Sequence, residues 1–188
     1  MTSPLRFLLP IIIVITGIPG LVSAQLFEDF ESGSKGAYSA GTVELESGPW
    51  LLDEALLGNQ SGDKRIGSQS VRMQGEHISM EFDTNGAGEV RFYHANAGFS
   101  GDTGGRLQLQ YSQDGGGSWI DAGQELVCPD GDLEQASIDI GQSGSIRFRI
   151  PHTAGGRISI DHFQVTEFIE ETDDARLHVE FDGEATEA

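Results

Sequence analysis

The sequence predicts an all-β protein, an antiparallel two-sheet β-sandwich of the jelly-roll kind. Three observations carry that prediction. Apolar and polar residues alternate with a period of two through most of the chain, as in Leu107-Gln108-Leu109-Gln110-Tyr111, which turns one face of each run inward. Each run is bounded by Gly, Asn, Asp or Ser clusters, and the chain carries 26 glycines, a density suited to many tight turns. No amphipathic helix of ordinary length can be traced beyond residue 24.

The chain opens on a targeting pattern. Arg6 precedes an apolar core from Phe7 to Val22, and Val22-Ser23-Ala24 offers the small residues a signal peptidase accepts. Residues 1–24 therefore read as a signal peptide, with the mature chain starting at Gln25. An uncleaved anchor is the competing reading, but Pro10, Gly17, Pro19 and Gly20 interrupt the run short of a comfortable span. The expected product has no membrane span after cleavage and works outside the cell, in the periplasm or at the cell surface.

The first strand is expected over Gln25 to Glu31, with a bulge at Glu28-Asp29 because Phe27 and Phe30 are three apart. Thr42 to Leu45 forms a short strand. Trp50 to Leu57 admits either a helical turn or a buried strand; Pro49 before it and Gly58 to Gly62 after it favour the strand. Further strands follow at Val71/Met73, Ile78/Met80/Phe82, Val90/Phe92/His94 and Leu107/Leu109/Tyr111. After a hairpin through Asp114-Gly115 come Ile138/Ile140, Ile146/Phe148/Ile150 and Ile158/Ile160, and the last of these switches face before Phe163, at Asp161. The sandwich is thus placed at 25–167. Residues 168–188 read as an acidic, flexible tail, with Leu177, Val179 and Phe181 offering one more strand as the alternative.

Composition narrows the function. The 188 residues suit one domain, and the formal net charge of -19 repels phosphate backbones and anionic lipids, which excludes generic nucleic-acid binding. The few basic residues are mostly Arg, a bias that fits a salt-rich habitat or the base composition of the genome equally well. Cys128 is the single cysteine, so no intramolecular disulfide forms, and no His-Asn pattern marks it as a nucleophile. The five histidines, His77, His94, His152, His162 and His178, show no close metal-ligand spacing. There is no Gly-x-Ser-x-Gly elbow and no phosphate-binding loop. The chain reads as no enzyme.

Ser112-x-Asp114-x-Gly116-x-x-Trp119 resembles the Asp-box, a hairpin motif of sialidases and many other secreted β-proteins, which implies a structural corner rather than an activity. A wider resemblance runs from Phe27 to about Thr166. It is carried, in order, by Phe27-Glu28-Asp29-Phe30-Glu31, Lys35-Gly36-x-Tyr38, Trp50, Gly67-Ser68-Gln69-Ser70-Val71-Arg72, the Asp-box hairpin and Arg157-Ile158-Ser159-Ile160-Asp161. Together they resemble a bacterial secreted β-sandwich module, attached in relatives to extracellular endonucleases, other hydrolases and surface proteins, and similar to jelly-roll carbohydrate-binding domains. The resemblance implies a non-catalytic accessory module. Relatives often carry a second acid where this chain has His162, and no catalytic domain accompanies the module here.

Two candidate sites follow. In jelly-roll sugar-binding modules a structural calcium ties the first strand to the last, which implies Glu28, Asp29 and Asp161 as its ligands; calcium takes six to eight oxygens from carboxylates and carbonyls. The plainer reading leaves these acids solvated or paired with arginines. The second site is an outward face carrying Arg91, Tyr93, Gln108, Gln110, Arg147 and Arg149, with Tyr93 as stacking platform and the others as hydroxyl or carboxylate partners of a glycan. Cross-strand pairing with Glu and Asp is the plainer reading there, and Trp50 and Trp119 read first as packing residues. The expected function is a secreted glycan-binding module with a structural calcium. The alternative is a structural or adhesive protein that contacts an extracellular partner protein or the cell surface.

Overall fold

The structure, a computed structural model, describes residues 24–170. It contains strands and no helix among those residues: β1 (Ala24–Glu28), β2 (Gly41–Leu45), β3 (Gly48–Leu52), β4 (Ala55–Gly58), β5 (Ser70–Met73), β6 (His77–Met80), β7 (Thr84–Asn96), β8 (Arg106–Ser112), β9 (Ile120–Val127), β10 (Glu134–Ala154) and β11 (Ile158–Thr166). All pairings are antiparallel. The expected signal peptide lies outside the described residues except for Ala24. So does the tail beyond Glu170, including the alternative strand at Leu177 to Phe181.

Two sheets face each other. In sheet one, the first part of β10 pairs with β7, and β7 with β11. The outer side of β11 is shared, with β5 against Ile158–Ile160 and β1 against its far end; β4 lies beyond β5. Sheet two runs β2-β3-β6-β10-β8-β9. β10 belongs to both sheets. The segment expected as two strands is one strand of 21 residues, which changes sheets near Ile146. Gly141 and Gly144 adopt φ of 57° and 86°, and the register against β7 shifts on either side of Gln142. Left-handed glycines let the strand turn its corner without ending.

The core fills from both inner faces. Phe163 is its hub, with ring centroids at 5.3 Å from Trp50, 6.0 Å from Phe148 and 6.2 Å from Phe92, while Phe30 meets Trp50 edge-on at 5.5 Å. These aromatic contacts add to the apolar burial of each ring. Phe163 reaches the core because His162 takes a left-handed φ of 49° and shifts the register of β11 against β7 after Asp161. Here the expected change of face is found.

At the other chain end it is not. In β1 Leu26 and Glu28 point inward, followed by Phe30 just past its end, and Phe27 points out with 48% exposure. The period of two is unbroken, and the strand simply carries a glutamate in the inward row. Phe30 does adopt a left-handed φ of 58°, but beyond the end of β1. The stretch 50–57 also differs from one continuous strand. A turn at Asp53-Glu54, with Glu54 at φ 47°, divides it into the ends of β3 and β4, which belong to different sheets.

Candidate functional site

The outer face of sheet two is broad, and its centre is Arg149. Registers place Leu51, Ser79, Arg149, Gln110 and Asp121 side by side across five strands. The alternation that buries Ile146, Phe148 and Ile150 in the core sends Arg147 and Arg149 outward. Arg149 donates from Nε to Gln110 Oε1 at 2.6 Å, and Gln110 Nε2 donates to Asp121 Oδ1 at 2.7 Å. The Arg149 guanidinium stacks over Trp119, 4.4 Å from the ring centroid, in range of a cation–π contact. Both side chains are half-buried. Burial pulls the Arg149 pKa down and Asp121 opposes it; the guanidinium remains a cation.

Trp119 is held in place by the turn before it. Ser112 Oγ accepts from Gly116 N–H at 2.8 Å and donates to Asp114 Oδ1 at 2.6 Å, and Asp114 in turn accepts from Ser118 N–H and Oγ. Hydrogen bonds from Ser112 and Ser118 hold the Asp114 carboxyl far below the usual carboxylate range. The turn is thus closed by side chains, and the indole that follows lies on the sheet.

The six glycan residues expected on one face occupy two. Arg91 and Tyr93 belong to β7 and the outer face of sheet one; Arg147, Arg149, Gln108 and Gln110 belong to sheet two. Arg147 is engaged by Asp83, Nε to Oδ1 at 2.8 Å. Gln108 is buried, and its amide donates to the carbonyls of Leu109 and Ala122 at 2.9 Å, where the β8–β9 register breaks. It closes a gap in the ladder and is no contact residue. On sheet one, Arg91 is paired with Glu89 at 2.5 Å. Tyr93 lines a depression of about 350 Å³ with Lys64, Arg65, Ile66, Asp132 and Leu133. Its ring meets His162 edge-on at 6.1 Å, and His162 meets Phe27 at 5.2 Å.

At the seam between the first strand and the last, the three expected calcium ligands part company. The Glu28 carboxylate is fully buried and already occupied: Oε1 accepts from Phe30 N–H at 2.7 Å, and Oε2 from Ser47 N–H at 2.9 Å and Ser47 Oγ at 2.7 Å. Ser47 Oγ also accepts from the Trp50 indole at 3.0 Å. Glu28 therefore anchors the core tryptophan. Asp161 is fully buried too, accepting from Ile66 N–H at 2.7 Å and His162 N–H at 2.8 Å. Burial pushes its carboxyl up to about 7 against those two bonds, and the charges of Glu31 and Asp29 push the same way. Glu31, which pattern reading passed over, accepts from Ser68 and Gln69 N–H, so a single loop, 66–69, serves both Glu31 and Asp161. Asp29 Oδ1 accepts from Glu31 N–H at 2.9 Å. Asp29, Glu31 and Asp161 thus form an acidic group with no Lys or Arg ion pair among the described residues.

No family model and no curated protein matches the chain. Solved structures do. The fold is similar to the CBM22-1 xylan-binding domain of Paenibacillus barcinonensis Xyn10C, with 16% identity and a TM-score of 0.52 over 78% of this chain and 96% of that one. It is similar to the K2 cleaved adhesin domain of Lys-gingipain, with 18% identity and a TM-score of 0.52 over 76% and 97%. The K1 adhesin domain from Porphyromonas gingivalis W83 matches at 16% identity and a TM-score of 0.50 over 74% and 96%. No helix among the described residues is long and apolar enough to cross a membrane. At these identities the likeness is one of fold, and the fold is an all-β sandwich like those of carbohydrate-binding modules.

Proposed function

We propose that the chain is an exported, non-catalytic glycan-binding module that takes sugar on the outer face of sheet two. The observation that carries this reading is the Arg149–Trp119 stack. The Arg149 guanidinium lies over the half-buried indole, and Gln110 and Asp121 continue the row as amide-bearing and acidic side chains. An apolar ring face and oriented donors and acceptors are what a pyranose requires, since sugars present C–H faces and hydroxyl rims together. A neighbour of the same fold is described as xylan-binding, so soluble xylan is the first probe and a glycan array the second. Affinity electrophoresis should retard the wild-type protein, and Trp119→Ala should weaken binding at least tenfold. Silence across neutral and acidic glycans, with and without calcium, would overturn the reading.

A structural calcium belongs to the same proposal. Asp161, Glu31 and Asp29 are the acids that would hold such an ion, since their charges act on one another, although among the described residues their oxygens do not converge as those of Asp53, Glu76 and His77 do. Glu28, Asp161 and Glu31 all have oxygens committed to donors, which an ion would have to share. The ion would fasten β1 to β11 and supply no chemistry. Melting with calcium and with chelator tests this; identical midpoints would remove calcium from the account.

The adhesive reading keeps one specific observation. Ile120 and Val127 are 47% and 56% exposed at the two ends of β9, the edge strand of sheet two, where a partner protein can add contacts.

A further inference from the structure

We propose that Asp53, Glu76 and His77 form a binding site for a divalent transition metal of the zinc class, separate from the calcium seam. Their ligand atoms all lie within 4.8 Å of one another. The residues come from two turns: Asp53 follows β3, while Glu76 and His77 close the turn into β6. The backbone locks those turns together. Asp53 N–H donates to His77 O at 2.9 Å, Gln74 N–H to Glu54 O at 2.9 Å, and His152 N–H to Glu76 O at 2.8 Å. The scaffold is fixed, while Lys35 and Arg149 act on the side-chain ends only through their charge.

Convergence of the ligand atoms sets this group apart among the described residues. The carboxylates of Glu28, Glu31, Asp63, Asp114 and Asp161 all accept hydrogen bonds. The side chains of Asp53, Glu76 and His77 make no hydrogen bond or ion pair among the described residues, although they converge. Direct pairing of the imidazole with either acid would be the ordinary outcome at closer range; here the donors stand apart around a common point. Zinc–nitrogen and zinc–oxygen bonds of about 2.0–2.2 Å put tetrahedral donors about 3.4 Å apart, so closure needs tip movements of about 1 Å. Glu76 is exposed and Asp53 and His77 are half-buried, which leaves that movement open.

The donor set selects the metal. One imidazole nitrogen with two carboxylate oxygens suits zinc and its neighbours, whereas calcium and magnesium take oxygens. A metal ligand must be a neutral imidazole. The two carboxylates offer a divalent cation its counter-charge, partly met already by Lys35 beside Asp53 and Arg149 beside His77, and the overall charge of -19 draws cations to the surface. Three protein ligands leave the remaining positions to water.

Isothermal titration of the purified protein with zinc chloride, in chelator-free buffer near neutral pH, tests the site. The expected result is a zinc site that His77→Gln and Asp53→Asn each weaken at least tenfold, and that calcium chloride in excess does not displace. Circular dichroism of each variant separates lost binding from lost folding. Histidine NMR on the wild-type protein gives a readout free of any variant's stability, because one equivalent of zinc must shift the imidazole resonances of His77. No zinc uptake, or uptake unchanged in both variants with the His77 resonances unmoved, overturns the proposal.

Discussion

Among the described residues the arginine–aromatic stacks around Phe99, where Arg72 also lies 5.8 Å from the Tyr38 centroid, and around Trp119 serve opposite ends. Around Phe99, Arg72 lies 4.7 Å from the ring centroid and Arg157 lies 4.6 Å from it, so one ring is held by two guanidinium groups. Each of those arginines also has a carboxylate: Asp63 at 3.2 Å from Arg72, Asp102 at 2.9 Å from Arg157. Around Trp119 there is one arginine, and Arg149 has a neutral amide where the others have an acid. The stacking geometry is the same. What separates a staple from a surface open to ligands is the counter-charge, because a neutralised guanidinium has spent its directional donors inside the protein.

The comparison breaks first at Asp63. Its side chain is fully buried against Arg72, and Asp63→Ala strands a buried cation, so unfolding in urea should show a loss of about 3–5 kcal/mol. Phe99→Ala removes the ring from both arginines and should cost about 1–3 kcal/mol in the same assay. Arg149→Ala should change stability by less than about 1 kcal/mol while weakening glycan binding at least tenfold. If Arg149→Ala and Phe99→Ala destabilise alike, the distinction between staple and site fails.

The smallest effect concerns pH. Neither stack titrates between pH 4 and 8, since arginine stays charged, so acid sensitivity has to come from elsewhere. His94 is buried with Nδ1 lacking a partner. Burial lowers its pKa, with Glu134 opposing. The native state therefore binds fewer protons than the unfolded state, and His94 makes stability fall as pH drops below about 6.5, its unfolded value. Thermal midpoints of His94→Asn should decline less between pH 7 and pH 5 than those of the wild type.

Much of this architecture was legible in the sequence because a period of two is a direct consequence of pleat geometry. That period located Arg149 and Gln110 on an outward face correctly. It could not say which sheet a strand joins, so Arg91 and Tyr93 were grouped with residues on the opposite side of the sandwich. It also misjudged β1. The spacing of Phe27 and Phe30 predicts a change of face at Glu28-Asp29, but Glu28 itself is inward because three donors compensate its burial, and those donors lie up to 19 residues away. Glycines at 141 and 144 read as strand ends, yet they carry β10 around a corner. Asp53, Glu76 and His77 had no sequence signature at all, since the turns that unite them are distant along the chain.

The single strand that belongs to both sheets has a further consequence for how the molecule comes apart. β10 supplies ladder partners to β7, β6 and β8, so neither layer has a complete set of hydrogen bonds without it. Peeling one layer from the other strips the middle of both, and local opening that reaches β10 becomes global opening. Its pairings also join segments distant in sequence, such as Ser79 with Arg149, which places assembly of the sandwich among slow, non-local folding reactions. A surface borne on such a strand stays rigid for as long as the protein is folded.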